Sequence, residues 1–134
     1  MAMGEIVLGN FRENFAASLY QWSKADYEAQ WNNAIRTLLA GSKSALLVHY
    51  VSPEFADNFE WWPMYKVGDV VFFQNQLPWY DQLPEPFTPE SMLSFVKDRI
   101  TINEDGNRLS EWSVKLSDIE DFAHILSLNQ KYAR

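Results

Sequence analysis

The chain has 134 residues, 47% of them hydrophobic, 22% charged and 16% aromatic, with no cysteine. This is enough for one folded domain with a sizeable core, and it excludes a disordered chain, a disulfide framework and thiol chemistry. The formal charge of −7 lies wholly in residues 54–105, where ten acids face three bases, a field that repels phosphate backbones and anionic lipid, attracts basic proteins and also serves plain solubility.

In chain order, the opening "MAMGEIVLGNFREN" lacks a basic segment followed by an apolar one, so no secretion signal is expected and the cytosol is the default address. No run of about 18 apolar residues occurs to span a membrane. "NFAASLYQW" reads equally as a strand or a first helical turn. "SKADYEAQWNNAIRTLLAG" predicts a helix over about 23–40, with Ser23 as N-cap, Asp26 in the first turn and Gly41 as the stop. Tyr27, Trp31, Ala34, Ile35 and Leu38 recur every three or four positions and make its apolar stripe. "SALLVHYV" (44–51) follows as a short apolar strand.

"FEWWPMYKV" and "DVVFFQNQL" flank Gly68-Asp69 and predict an antiparallel hairpin. Alternation sends Trp61 and Trp62 to opposite faces, and Phe72 and Phe73 likewise. Both faces are therefore apolar and need cover from a helix, a loop or a partner. Pro63 restricts its strand to an edge, an end or a bulge. Residues 77–89 carry four prolines, which exclude a central strand or a helix interior and predict a long excursion. "DRITIN" and "RLSEWSVKL" around "EDGN" predict a second hairpin. "SDIEDFAHILSLNQKYAR" predicts a helix over about 117–130: Ser117 and Glu120 form a capping box, Ile119, Phe122, Ala123 and Leu126 the stripe, and Lys131 and Arg134 suit its negative end. The sum is one α+β domain over residues 1–134, an antiparallel sheet of about five strands built from hairpins with helices packed against it. The pattern leaves strand order open.

Chemical motifs are sparse. His49 lies within an apolar strand and His124 on the last helix, and nothing in their spacing brings them together. There is no metal-ligand spacing, phosphate loop or nucleophile elbow, so no catalytic, cofactor-binding or metal residue is assigned. Binding remains. Residues 55–87 hold ten of the 21 aromatics, and residues 54–90 hold seven acids against one base, Lys66. Aromatic anchors ringed by acids suit a tight interface with a basic protein. The candidate contacts are Glu54, Asp57, Glu60, Asp69, Trp79, Tyr80, Asp81, Glu85, Glu104 and Asp105. Two other classes stay open: a glycan- or ligand-binding module stacking on exposed Trp61, Trp62 or Trp79, and a small hydrolase with a carboxylate pair in one pocket. Direct nucleic-acid or membrane binding is not expected.

Three stretches, "LYQWSKADYEAQW", "WWPMYKVGDVVFFQNQL" and "LSEWSVKLSDIEDF", resemble the immunity proteins of bacterial contact-dependent growth inhibition systems over roughly residues 8–126. The resemblance implies a cytosolic protein that binds one cognate toxin domain, often an RNase, and blocks it stoichiometrically, commonly at its active site. It implies no catalytic residues, and it carries over no contact residues. A nuclease site is basic because it holds phosphates, so the acidic segment agrees with that expectation.

Overall fold

The computed structural model describes residues 2–8, 11–83 and 88–132. Strands β1 (Ala2–Leu8) and β2 (Phe11–Ala17) form a two-stranded antiparallel sheet. Strands β3 (Lys43–His49), β4 (Glu60–Val67), β5 (Val70–Phe73) and β6 (Trp112–Lys115) form a four-stranded one in that order, all antiparallel. Helices α1 (Lys24–Ala40) and α3 (Leu116–Tyr132) complete the frame, with a short α2 (Pro89–Met92) in the long excursion. The α+β class expected from the pattern is the one observed. The main sheet has four strands rather than about five, because "DRITIN" is not one of them, and the N-terminal hairpin stands as a second sheet.

Helix α1 follows its local signals. The Ser23 hydroxyl accepts from the Asp26 N–H while the Asp26 carboxylate accepts from the Ser23 N–H, a reciprocal cap. The stripe from Tyr27 to Leu38 is buried throughout. Gly41 ends the helix with φ −135°, outside the left-handed region, its N–H donating to the Leu38 carbonyl. The helix also closes the outer edge of β3. Gln30 donates to the Ala45 carbonyl and accepts from the Leu47 N–H, and the Trp31 indole donates to the Leu47 carbonyl. A glutamine side chain thus serves as the missing strand, leaving those buried edge groups paired.

The hairpin β4–β5 turns on Gly68, whose φ of +60° favours a residue without Cβ. Its two faces are covered as alternation requires. Trp62 lies under Phe15 of β2 and against Trp112 of β6, on the side of α1 and α3. Trp61 lies on the opposite side, edge-on to Phe59 and lining a cleft with the excursion. Pro63 sits inside β4, a central strand. Its carbonyl accepts from Gln74 where the β5 ladder ends at Met64–Phe73, and pairing resumes only at Trp61–Gln76. Pro63 thus stands inside a central strand, against the edge, end or bulge expected of it, and its missing N–H removes one bond from the β5 side opposite Gln74.

Three further expectations are corrected. "DRITIN" forms no strand; a single bridge joins Ile102 to Arg108, and Ile100 and Ile102 are exposed because no neighbouring surface receives them. Strand β6 pairs instead with β5. The last helix begins at Leu116, directly from β6, so Ser117 lies inside its first turn rather than at the cap; the Leu116 N–H donates to the Asp69 carbonyl. Ile119 and Leu126 are buried and Phe122 and Ala123 pack beside them, as the stripe predicts. Arg134 lies outside the described residues, as does the side chain of Lys131.

Gly4 of β1 pairs across the hairpin with Phe15, whose ring lies over it: an added Cβ would stand 2.3 Å from the Phe15 ring. That ring is itself wedged edge-on between Trp31 and Trp62, with centroids 5.5 and 5.7 Å away. Gly4→Ala must displace it, and a destabilisation of about 1–3 kcal/mol is expected. Urea unfolding read by tryptophan fluorescence tests this, and an unchanged midpoint would show that the ring yields freely.

Candidate functional site

The end of the molecule where β3 finishes and β4 begins collects much of the acidic segment. The loop over residues 51–59 is stitched to residues 78–80: Phe59 N–H donates to the Pro78 carbonyl, Tyr80 N–H to the Asp57 carbonyl, and Asn58 bridges Trp79. The Tyr80 hydroxyl donates to the Val51 carbonyl at 2.6 Å. Burial pushes that phenol well above the ordinary tyrosine range, so it stays a hydrogen-bond donor at any working pH. On the far side, the Gln21 side chain donates to the Ser52 hydroxyl and accepts from the Ser52 N–H. The loop is short, tightly bonded and fixed from two directions.

This arrangement groups Glu54, Asp57, Glu60, Trp79 and Asp81 at one pole. Glu90 in α2 belongs beside them, acting electrostatically on Tyr50 and sharing a cleft with Asp26 of α1. Between residues 44 and 96 the sequence holds one base, Lys66, and its ammonium donates to the Leu39 carbonyl. Lys24 is paired with Glu28 on α1, and Lys97 lines the 280 Å³ cleft that Trp79 also lines.

Several expected contacts are placed elsewhere. Asp69 occupies the β4–β5 turn, at the other end of an eight-residue strand, roughly 25 Å from Glu60. Glu104 and Asp105 sit in the separate turn closed by Asn103 and Asn107. Glu85 lies outside the described residues. Tyr80, also among the candidate contacts, is 6% exposed and packed on Phe59, where its ring holds the loop and presents little open face. Trp79, 47% exposed, does offer one. Two residues outside the candidate set stand out instead, Tyr20 and Phe55, both exposed and packed edge to face with centroids 5.5 Å apart. Their positions far apart in the sequence gave no sign that they meet.

The alternatives fare differently. A stacking platform required two exposed tryptophans among Trp61, Trp62 and Trp79, but Trp61 and Trp62 are each 2% exposed. A hydrolase required a carboxylate with a shifted pKa in a pocket. Among the described residues the shifted acids are Asp98 and Glu111, held low by Lys43 and Arg99 respectively, the direction of a structural ion pair. His49 donates from Nδ1 to the Ala16 carbonyl at 3.1 Å, joining β3 to β2, and His124 is exposed on α3. No group of three or more metal-ligating side chains occurs among the described residues, and no helix there is long and apolar enough to cross a membrane.

The Arg99–Glu111 pair is a clip that closes residues 100–110 and ties them to β5. Two parallel bonds of 2.9 and 2.6 Å join them, Arg99 lies 4.0 Å over the Phe72 ring, and the Gln74 amide donates to both Glu111 and the Ile100 carbonyl. Because Glu111 titrates lower in the folded state, its stabilisation is complete above the ordinary glutamate value of about 4.5 and drains as pH falls through the lower native value. Stability is therefore expected to decline below about pH 4.5, and Glu111→Gln should flatten part of that decline. Urea midpoints at pH 3.5–7 for both proteins check it; parallel curves would rule out the clip as a contributor.

Residues 17–122 match the family described as the CdiI N-terminal domain. The protein "Immunity protein CdiI" of Enterobacter cloacae subsp. cloacae is 29% identical over 123 residues, covering 91% of this chain and 84% of that protein. A chain of the solved CdiA-CT/CdiI toxin and immunity complex from Enterobacter cloacae superposes with a TM-score of 0.84 and 29% identity, over 92% of this chain and 85% of that one.

Proposed function

Because this chain belongs to the CdiI N-terminal domain family, we propose that it is an immunity protein that binds one cognate CdiA-type toxin domain and neutralises it by stoichiometric contact. The observation that carries the reading is its likeness, through nearly its whole length, to a chain of a toxin and immunity complex. Neutralisation of this kind needs a complementary surface and no chemistry of its own, and it takes place in the cytosol, where the toxin would act.

The toxin is further proposed to be a basic nuclease, an RNase by the family's habit, blocked at or beside its active site. What supports this is charge. A site that holds phosphates presents arginine and lysine, and the pole bearing Glu54, Asp57, Glu60, Trp79 and Asp81 presents carboxylates with an aromatic anchor among them. Such a surface accelerates encounter and disfavours neutral or acidic partners. Asp69, Glu104 and Asp105 lie on separate turns and would contribute long-range field rather than contact. Co-expression with the product of the adjacent upstream reading frame tests the reading. A 1:1 complex on size exclusion and loss of RNA cleavage on adding this protein are expected. An upstream product that is harmless, or that this protein does not bind, would overturn it.

A further inference from the structure

Resting on that reading, we propose that the exposed Tyr20–Phe55 pair is a receptor for one basic side chain of the toxin, which lies on the ring faces and is closed in by Glu54 and Asp57. Tyr20 is 68% exposed and Phe55 59% exposed. The rings stand edge to face, 5.5 Å between centroids and 75° between planes. Each comes from a different segment, and folding leaves most of both in water, so the pair adds little to the core.

The rings are nevertheless held in place. Phe55 and Ala56 donate to the Ser52 carbonyl, and Gln21, next to Tyr20, bonds Ser52 through both ends of its amide. Val51 is held by the Tyr80 hydroxyl. Large apolar faces fixed before a partner arrives bind with little loss of conformational freedom, as interface anchors do.

Charge selects the occupant. Glu54 adjoins Phe55, Asp57 is two positions on, and residues 44–65 contain no lysine or arginine. An aliphatic or aromatic side chain set against the rings would leave those carboxylates facing an apolar group, and an acidic one would meet like charge. A guanidinium or ammonium satisfies both features: its charge is attracted to the ring faces, and its N–H groups reach the carboxylates at the rim. Arg99 over Phe72, with Glu111 at its edge, shows the same combination built internally.

The test uses the full-length protein and the toxin domain from the adjacent reading frame, with affinity measured calorimetrically for the wild type, Phe55→Leu and Tyr20→Leu. Leucine keeps apolar area and removes the ring face, and both positions are exposed enough to leave the thermal midpoint unchanged. Each variant is expected to weaken binding about 10-fold. One toxin Arg→Gln or Lys→Gln substitution should weaken wild-type binding similarly yet have no further effect against Phe55→Leu, the signature of a direct pair. If the wild type binds and both leucine variants bind equally well, this inference falls while the immunity reading stands. If the variants lose affinity but no toxin base couples to Phe55, the assignment of a cation falls. Failure of the wild type to bind removes the immunity reading and this inference with it.

Discussion

Replacing Trp62 with alanine is expected to cost about 3–5 kcal/mol of folding stability, a large part of the whole for a domain of this size. The side chain is 2% exposed and stands where every layer of the fold meets. Phe15 of the N-terminal hairpin packs edge-on to it at 5.7 Å, Trp112 of β6 at 5.5 Å, and Phe15 continues the contact to Trp31 of α1. The cavity left by the indole would be lined by rings that constrain one another and collapse poorly, which is why the cost belongs at the upper end. Near-UV circular dichroism through a urea titration measures it. Trp79→Ala is the control, since that ring is half exposed at the pole and its loss should leave stability within about 0.5 kcal/mol. Equal effects of the two substitutions would contradict this account of the core.

Reversing three acids of the pole, Glu54→Lys, Asp57→Lys and Asp81→Lys together, is expected to slow association with the toxin roughly 100-fold at low salt. The three lie on loops joined by the Asn58–Trp79 bridge and the Tyr80–Asp57 bond, so their fields add over one surface. All three are exposed, and their replacement removes no ion pair seen among the described residues. Raising the ionic strength should narrow the difference, because charges separated by about 8–10 Å are screened at physiological salt. Stopped-flow association at two salt concentrations reads this directly. Asp69→Lys, at the other end of β4, should have a far smaller effect. If it slows binding as much as the triple change, the pole is not the docking surface and net charge alone governs encounter.

Features written in short stretches were legible. Helix α1 carries its cap, its stripe and its stop within one continuous segment, and each is seen where the spacing puts it. The β4–β5 hairpin was equally plain from Gly68-Asp69 and the alternation around it. The motifs around Trp61, Trp31 and Trp112 carried the likeness to the family to which the chain belongs. Local signals misled where a neighbour was needed to complete them. "DRITIN" alternates as a strand does, but no strand lies beside it over most of its length, so its isoleucines face water. The Ser117–Glu120 spacing matches a capping box, yet β6 runs straight into the helix one residue earlier. β1 was missed because Gly4 interrupts its pattern, and that glycine is explained only by Phe15, eleven residues on and directly across the hairpin.

The class of fold, the helix and hairpin that frame it, the family and the acidic bias of residues 54–105 can all be read from the order of residues. Each of these is a sum or a period, and such quantities survive whatever path the chain takes. Which acids share a surface depends on the folded chain. It set Glu54, Asp57 and Asp81 at one pole and Asp69 at the other, turned Tyr80 inward as a fastener, and brought Tyr20 against Phe55. The reason is physical: charge counts add along a chain, but exposure and adjacency depend on which distant segments the core draws together.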